Sequence, residues 1–353
     1  MKTLLIANRG EIAVRIARTA AEMGVATVAV FSEDDAASLH TRKADSALAL
    51  KGSGPAAYLD IDAMVEAAKA AGADAVHPGY GFLSENAAFA RACAAAGLVF
   101  VGPAPETLEL FGDKGRARAL AQQCGVPVLV GTDGPTTLDQ AQAFLAAHGP
   151  VMVKAVAGGG GRGMRPATTA DELTPAFERC ASEALAAFGA GEVYVERFLP
   201  HARHIEVQIV GDGASVIHLF DRECSLQRQR QKVVEIAPAD MLPMELRERL
   251  FGYGRALGQA AGYRSLGTME FLVDGDEAVF IEGNARLQVE HTVTEEITGL
   301  DLVRLQLQIA AGRSLADLAL TQDRVPEPRG HAVQVRVNLE TMAADGSARP
   351  AGG

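Results

Sequence analysis

Five polar side chains alternate with Gly, Ala, Leu and Val between residues 282 and 290. If this segment stays extended, its period of two places all five on one side of a strand. Carboxylates, amides and a single guanidinium then form one row, unlike the Thr and Lys common on an exposed strand face. The row predicts a reactive site, with a half-exposed polar strand as the plainer alternative, and its members are Glu282, Asn284, Arg286, Gln288 and Glu290.

A second carboxylate is expected beside the start of this row. A three-residue hairpin loop at Gly275-Asp276-Glu277 would set Glu270 opposite Glu282 with both side chains on one face. Two adjacent carboxylates repel each other unless a cation lies between them, and hard oxygen ligands that leave room for phosphate oxygens suit Mg²⁺. Nearby, the fork of Arg286 can bind a planar oxyanion such as bicarbonate, and a neighbouring Glu can act as a base.

A run of glycines at 158–161 follows a predicted strand that carries Lys154. Consecutive glycines leave backbone N–H groups unshielded and let the chain fold closely over an anion. The run lacks the Gly-Lys-Ser/Thr ending of a Walker A loop. A flexible linker is the alternative, but linkers usually mix in Ser and seldom carry a flanking Lys154 and Arg162. The glycines therefore predict a flap over a triphosphate.

The elements that must position these groups begin with alternating strands and helices over the first hundred residues. Apolar runs at 4–7, 27–31, 73–77 and 98–101 are separated by helical patterns, and parallel strands joined by crossover helices predict a Rossmann-like sheet. The first run is followed by Asn8-Arg9-Gly10-Glu11 rather than GxGxxG, which disfavours a dinucleotide dehydrogenase.

The pattern changes from about residue 131, where a compact insert is predicted to form a lid. Its expected elements are a helix at 138–147, a strand at 151–156, a helix at 171–188 and a strand at 193–198. After His204 the apolar runs are joined by short turns, which predicts antiparallel hairpins and a last strand beginning at His331. The expected fold class is therefore α/β followed by α+β.

Composition narrows the range of functions. The length of 353 residues predicts two or three domains, and the net charge of −11 disfavours nonspecific nucleic-acid binding. Cys93 and Cys180 lie on apolar helical faces and are predicted to be reduced core residues, as the widely spaced cysteines form no CxxC pair. The first residues are too short for a signal peptide and no run reaches membrane-spanning length, so we expect a cytoplasmic or matrix protein with no membrane partner.

Motifs along the chain resemble those of biotin carboxylases, in the same order. The first two are Ile6–Ala13 and His77–Asn86, followed by the glycine run. The others are Gln227–Val234 and Arg286–His291. Several of these strings are specific to that family rather than to ATP-grasp enzymes in general, and the resemblance covers essentially the whole chain.

The resemblance implies a Rossmann-like pre-ATP-grasp domain at 1–113 and an ATP-grasp domain at 114–330 with a mobile lid at about 131–203. It implies an incomplete C-terminal domain beginning at 331–353. The implied reaction has two steps, in which ATP phosphorylates bicarbonate to carboxyphosphate and the ureido nitrogen of biotin captures the released CO₂. No Ala/Val-Met-Lys-Met/Leu biotinylation motif occurs, so biotin is expected on a separate carrier domain or chain.

The resemblance also implies a role for each site residue. Phosphates would be held by Lys114, Lys154, Gly159, Gly160 and Gly161. The rest of the nucleotide pocket would be lined by Glu196, Leu199, His204 and Gln227. Two Mg²⁺ or Mn²⁺ ions would be coordinated by Glu270, Glu282 and Asn284. Bicarbonate would be held by Lys232, Arg286, Gln288, Val289 and Glu290, with Glu290 as the base. Carboxyphosphate and the biotin enolate would be steadied by Arg336.

Four positions depart from the family's pattern. Gln229 and Arg230 stand where Arg and His are common, at a position where the resemblance implies a nucleotide contact. Arg197 replaces a common Lys, and Gly283 replaces a larger apolar residue. Relatives also continue beyond residue 353 into a lobe that often forms a dimer interface, which implies that this chain is a fragment or a module of a fused carboxylase and leaves homo-oligomerisation open.

The expected partners are bicarbonate, a biotin carboxyl carrier domain and a carboxyltransferase domain or subunit. Two rival functions stay open. Another ATP-grasp ligase, similar to carbamoyl-phosphate synthetase, would form carbamoyl phosphate from ammonia. A nucleotide-binding module that has lost catalysis would bind ATP without turnover, although the acidic and basic set around Glu290 disfavours it, because charges so close together are costly to retain.

Overall fold

The computed structural model describes residues 1–132, 134–156, 163–228, 231–345 and 347–350. Its first part is a five-stranded sheet in the order β3-β2-β1-β4-β5, and every pairing in it is parallel. The predicted Rossmann-like arrangement is confirmed. The strands are β1 (Thr3–Ile6), β2 (Ala26–Phe31), β3 (Ser46–Ala49), β4 (Ala75–His77) and β5 (Val99–Phe100). The helices are α1 (Gly10–Glu22), α2 (Leu39–Lys43), α3 (Ile61–Ala70) and α4 (Ala87–Ala95), with 3-10 turns at Glu33–Asp35 and Pro55–Leu59.

Apolar spacing explains how this first sheet is covered. On α1, Ile12, Ile16 and Ala20 recur at helical spacing and are buried against β1. On the other face, Met64 of α3 and both Phe89 and Cys93 of α4 join a second buried cluster. The sheet is therefore buried on both faces, which explains why its strands consist of nearly continuous apolar runs.

Two helices lead from this sheet to a smaller unit that corresponds to the predicted lid. They are α5 (Pro105–Gly112) and α6 (Lys114–Gln123). The smaller unit contains α7 (Leu138–His148), β6 (Val151–Ala155), β7 (Met164–Ala167), α8 (Ala170–Phe188) and β8 (Val193–Arg197). Its strands form an antiparallel sheet in the order β7-β6-β8. An apolar cluster that includes Val153, Leu173 and Cys180 lies between this sheet and its helices, so the unit has its own core.

The largest sheet has six strands in the order β13-β12-β9-β10-β11-β14, and all its pairings are antiparallel, as predicted. Its strands are β9 (Arg203–Asp212), β10 (Val216–Arg228), β11 (Gln231–Ala237), β12 (Arg264–Asp274), β13 (Glu277–Asn284) and β14 (Ala332–Val335). The helices of this region are α9 (Met244–Ala260), α10 (His291–Thr298) and α11 (Leu302–Ala310), with a 3-10 turn at Gln322–Arg324.

The β12–β13 hairpin differs from its prediction, although the predicted pair is present. Asp274 pairs with Glu277, so the connecting turn has two residues rather than three. A β-bulge between Glu270 and Phe271 then shifts the register by one residue and brings Glu270 opposite Glu282. The pairing of the carboxylates therefore comes from a bulge that the sequence pattern did not indicate.

The prediction that residues 282–290 form one extended strand is wrong for the second half of this segment. Strand β13 ends at Asn284, irregular backbone follows, and α10 begins at His291. Ala285 and Leu287 are buried, and so are Gln288 and Glu290, so this segment has no single polar face. The polar side chains of the predicted row nevertheless line one cleft.

The strand predicted to begin at His331 is present as β14, but it is not the last element of the chain. A short antiparallel hairpin, β15 (Glu340–Met342) with β16 (Ala348–Pro350), follows β14. Within the described ranges, no helix is both long enough and apolar enough to cross a membrane.

Candidate active site

One cleft of about 2180 Å³ lies between the lid, the central sheet and helices α5 and α6. Every sequence-predicted site residue that the structure describes lines it: Lys114, Lys154, Glu196, Leu199, His204, Gln227, Lys232, Glu270, Glu282, Asn284, Arg286, Gln288, Val289, Glu290 and Arg336. The predicted phosphate contacts Gly159, Gly160 and Gly161, together with Gln229 and Arg230, lie outside the described residues. The strands flanking the glycine run, β6 and β7, contribute Lys154 and Met164 to the cleft wall.

Lys232 of β11 connects three carboxylates at the base of the cleft. Its Nζ donates to Glu206 at 2.6 Å, to Glu290 at 2.7 Å and to Glu270 at 2.9 Å. Burial alone would lower the pKa of Lys232, but these carboxylates raise it well above its ordinary value. The side chain is therefore a permanent cation around which the acidic groups are arranged.

Glu290, the predicted base, is buried between two cations. Its Oε1 accepts from Lys232, and its Oε2 accepts from Arg336 at 3.0 Å. Burial raises the pKa of Glu290, but Lys232, Arg222 and Arg336 outweigh that effect, so its pKa lies below the ordinary value. Glu290 is ionised at neutral pH and can accept a proton.

Glu270 and Glu282 lie on neighbouring strands, and their pKa values are shifted in opposite directions. Burial opposes ionisation of Glu270, but Lys232 and His204 lower its pKa well below the ordinary range. Burial and the neighbouring Glu270 carboxylate raise the pKa of Glu282, and Lys114 lies 3.9 Å away from it. A second cation at Glu282 would stabilise its charged form.

These residues fit a divalent cation by their donor chemistry. Glu270, Glu282 and Asn284 present oxygen atoms to one cleft, and hard oxygen donors suit Mg²⁺ or Mn²⁺. Among the described residues, two other groups have candidate ligand atoms within 4.8 Å of one another: His204, Glu206 and Glu270, and Glu206, Cys224 and Glu290. We favour Glu270, Glu282 and Asn284 as the cation ligands. The charge of Glu206 is already compensated by Lys232 and Arg222, whereas that of Glu282 is not.

The two predicted anion-binding arginines are held at different walls of the cleft. Arg286 donates to Glu85 at 2.9 Å and to Asn284 at 3.0 Å. Arg336 donates to Glu235 at 2.6 Å as well as to Glu290. Glu85 belongs to the first domain, so the position of Arg286 depends on how that domain meets the central sheet. Fixed guanidinium groups of this kind suit recognition of a planar oxyanion.

The end of the cleft away from Lys232 and its carboxylates is apolar and is bordered by charged lid residues. Leu129, Leu199 and Val279 form a buried cluster there. Glu196 of β8 pairs with Lys154 of β6 and accepts from Arg118 at 2.7 Å. An apolar wall next to cations matches a flat base attached to phosphate groups.

His204 and Gln227 connect this nucleotide end to the carboxylate end. Gln227 donates to Nδ1 of His204 at 2.9 Å, and Nε2 of His204 donates to Glu270 at 2.5 Å. Burial would lower the pKa of His204, but Glu270 raises it above the ordinary value. The imidazole therefore orients the Glu270 carboxylate.

Two buried residues beneath the cleft were missed from the sequence. Glu206 of β9 and Arg222 of β10 are fully buried and form an ion pair. Arg222 also donates to Gln208 and Thr294 at 2.8 Å. The available signal was the alternation His204-Ile-Glu-Val-Gln208 in an otherwise apolar strand, because charges at period two inside such a strand need buried partners.

Comparisons with known protein families agree with this arrangement. The family described as "Biotin carboxylase, N-terminal domain" matches residues 1–108, and the one described as "Carbamoyl-phosphate synthase L chain, ATP binding domain" matches residues 113–318. Pyruvate carboxylase of Aspergillus niger is 52% identical over 345 residues, which cover 96% of this chain and 29% of the relative. Mitochondrial pyruvate carboxylase of Homo sapiens is 51% identical over 349 residues, 97% of this chain and 30% of that protein. The chain thus spans about three tenths of the length of these curated relatives.

Two solved biotin carboxylase structures match over about three quarters of their own length. The biotin carboxylase domain of a single-chain bacterial carboxylase is 52% identical with a TM-score of 0.85, covering 96% of this chain and 75% of that one. A biotin carboxylase from Campylobacter jejuni, solved as a β,γ-ATP complex, is 41% identical with a TM-score of 0.90, covering 97% and 77%. The parallel sheet, the lid and the antiparallel sheet around the charged cleft are therefore those of an ATP-grasp enzyme, and the chain belongs to the biotin carboxylase family.

Proposed function

We propose that this chain carboxylates biotin at the expense of ATP and bicarbonate, through carboxyphosphate. The observation that carries the proposal is the position of Glu290. Its ionised carboxylate lies between Lys232 and Arg336 in a cleft that also contains the carboxylate pair and a nucleotide-sized apolar wall. The residues proposed as the base, as anion-binding cations and as phosphate-binding cations therefore line one continuous cleft.

In the first step, Glu290 removes the bicarbonate proton while Lys232 and Arg286 hold the anion. The bicarbonate oxygen forms a bond to the terminal phosphorus of ATP, and the bond from that phosphorus to the ADP oxygen breaks. Lys114 and Lys154 neutralise charge on the phosphates. Glu270, Glu282 and Asn284 would hold Mg²⁺ or Mn²⁺, whose chemistry when bound is to offset charge on the phosphate oxygens.

In the second step, the bond between the carboxyl carbon and the phosphate oxygen of carboxyphosphate breaks to give CO₂ and phosphate. The released phosphate takes the proton from the ureido nitrogen of biotin, and that nitrogen forms a bond to the CO₂ carbon. Arg336 is placed to stabilise the negative charge on the biotin ureido oxygen, because it enters the cleft beside Glu290. Water must be kept away from carboxyphosphate, and the lid that carries Lys154 is the element best placed to exclude it.

Relatives support the partners of this reaction. The biotin carboxylase domain of Hydrogenobacter thermophilus 2-oxoglutarate carboxylase, 42% identical with a TM-score of 0.87, was solved with MgADP, ADP and bicarbonate. Because the curated relatives are longer, we propose that a carrier domain presents biotin to this cleft and that a carboxyltransferase domain or subunit consumes the product. We propose the cytoplasm as its location, with the mitochondrial human relative as the counterexample.

The test is ATP hydrolysis measured with and without bicarbonate and free biotin. Hydrolysis should require bicarbonate and increase with biotin. Glu290→Gln should abolish it, whereas Glu296→Gln, which changes an exposed carboxylate on helix α10, should leave it unchanged. Arg286→Ala should reduce the rate by about 100-fold or more, because a fixed anion-binding group is lost. ATP turnover that ignores bicarbonate would contradict the proposal.

The alternative function, synthesis of carbamoyl phosphate, is tested in the same assay. The family that matches residues 113–318 is described as the ATP-binding domain of the carbamoyl-phosphate synthase L chain. The N-terminal match to the biotin carboxylase family favours biotin as the acceptor. Formation of carbamoyl phosphate when ammonia replaces biotin would favour the rival instead.

A further inference from the structure

Glu196 holds two cations at once in the nucleotide end of the cleft. Its side chain is only 7% exposed, and it pairs with Lys154 from the lid strand β6 and with Arg118 from helix α6. Arg118 also donates to the backbone carbonyl of Leu129 at 2.7 Å, which fixes its guanidinium independently of Glu196. Lys154 is thus shared between a buried carboxylate and the space where phosphates are proposed to bind.

This sharing creates a conflict when a nucleotide enters. If Lys154 moves to a phosphate, Glu196 loses one of its two counterions while still buried. A buried carboxylate without a partner is strongly destabilising, so the carboxylate would oppose the release of Lys154 unless another cation stayed in place.

Glu196 cannot follow Lys154 out of the pocket. Its backbone pairs with Met152 on one side and forms a bridge to Gly131 on the other. A Cβ atom at Gly131 would lie 2.9 Å from Cγ of Glu196, so the stem of the glutamate is closely covered. The carboxylate is held where it is, and its charge has to be balanced there.

We propose that Arg118 is a positioning residue that neutralises Glu196 and thereby frees Lys154 to bind the phosphates of ATP. The inference rests on the proposed function, because it takes Lys154 as a phosphate contact. Arg118 itself need not touch the nucleotide: within the described part of the chain, its hydrogen bonds are to Glu196 and Leu129. Its effect on ATP should therefore pass through Glu196 and vanish when Glu196 carries no charge.

The experiment is a double-mutant cycle on ATP affinity, measured by isothermal titration calorimetry on the full chain with Mg²⁺ present. Arg118→Gln should weaken ATP binding by about tenfold or more, because Glu196 then keeps Lys154 alone of its two described cationic partners. In a Glu196→Gln background the same change should weaken binding by less than about threefold. Arg118→Lys should recover part of the loss, since a lysine can still pair with Glu196.

Arg165→Gln provides the matched control, because Arg165 pairs with Glu183 on the lid away from the cleft, and it should leave ATP affinity unchanged. An equal loss from Arg118→Gln in both backgrounds would overturn the inference, since Arg118 would then act on the nucleotide directly. An unchanged affinity in Arg118→Gln would overturn it as well. If the unaltered chain fails to bind ATP, the proposed function itself fails. Thermal unfolding of each variant checks that it is folded. If Arg118→Gln does not fold, Arg118→Lys replaces it in the double-mutant cycle.

Discussion

Buried charge at the base of the cleft is organised around two cations with different chemistry. Lys232 contacts three carboxylates by a single ammonium group, whereas Arg222 divides its donors among Glu206 and neutral side chains. A guanidinium with several fixed donors holds its partners in one geometry, and an ammonium acts as a compact charge. The arginine therefore fixes Glu206, and the lysine balances the carboxylates that face the cleft.

Lys232→Met should destabilise the protein by about 3–5 kcal/mol, because it leaves Glu206, Glu270 and Glu290 close together without their shared cation. Urea denaturation measures the free energy of unfolding. Lys69→Met, at an exposed helical position, serves as the control and should change that free energy by less than about 0.5 kcal/mol. Equal stability of the two variants would show that the carboxylates do not depend on Lys232.

At the scale of elements, the hairpin β12–β13 decides which side chains meet. The sequence pattern predicted the pairing of Glu270 with Glu282, and the structure confirms it. Composition and turn spacing alone could not reveal the bulge that produces the pairing, because a bulge depends on contacts with neighbouring strands. The burial of Glu206 and Arg222 was missed for a similar reason: a charged pair formed across two strands is visible only once their register is known.

Gly283 on β13 lies against helix α5. A Cβ atom there would lie 2.5 Å from Cδ1 of Phe111, so the phenylalanine ring fills the volume of a side chain at this position. This contact explains why the chain tolerates glycine where the family commonly has a larger apolar residue.

Gly283→Ala should therefore destabilise the protein by about 1–3 kcal/mol through overpacking, and Phe111→Leu in the same chain should recover part of the loss. The measurement is the midpoint of thermal unfolding. Gly252→Ala is the matched control on α9, where an added methyl meets nothing within 4 Å, and it should stabilise by about 1 kcal/mol instead. A stabilising effect of both substitutions would contradict the packing described at Phe111.

At the scale of the whole molecule, a buried histidine connects the first domain to the central sheet. Gly79 N–H donates to Nδ1 of His77 at 3.0 Å, so Nε2 carries the proton and donates to Gln306 of α11 at 3.1 Å. Gln306 in turn donates to Ser265 at 3.4 Å. Apolar periodicity was enough to predict the parallel sheet of the first part and the antiparallel sheet that follows it. The connection through His77 could not be predicted in this way, because it joins residues that are too distant in sequence for any local pattern to indicate.

Acid should destabilise the folded protein through this histidine. Burial lowers the pKa of His77 from 6.5 to about 3, so between these values the unfolded chain binds a proton that the folded protein does not. The free energy of unfolding should fall as pH drops below the unfolded value, by about 2 kcal/mol from this residue between about pH 7 and about pH 5.

The comparison is the pH dependence of urea denaturation in the unaltered protein and in His77→Gln, which should lose that part of the acid sensitivity. His201→Gln, at an exposed position, should retain it. Identical pH profiles for all three proteins would show that His77 is not the group that titrates.

The cleft is lined by residues from Glu85 to Glu340, contributed by both domains and the lid. Neither the two domains alone nor the lid alone contributes all of its walls, so the nucleotide and bicarbonate proposed to bind there would contact all three units at once. Ligands that select one folded arrangement add their binding free energy to its stability by mass action. Occupancy of the cleft should therefore be linked to cooperative unfolding of the entire polypeptide, and not only to local order at the residues that contact the ligands.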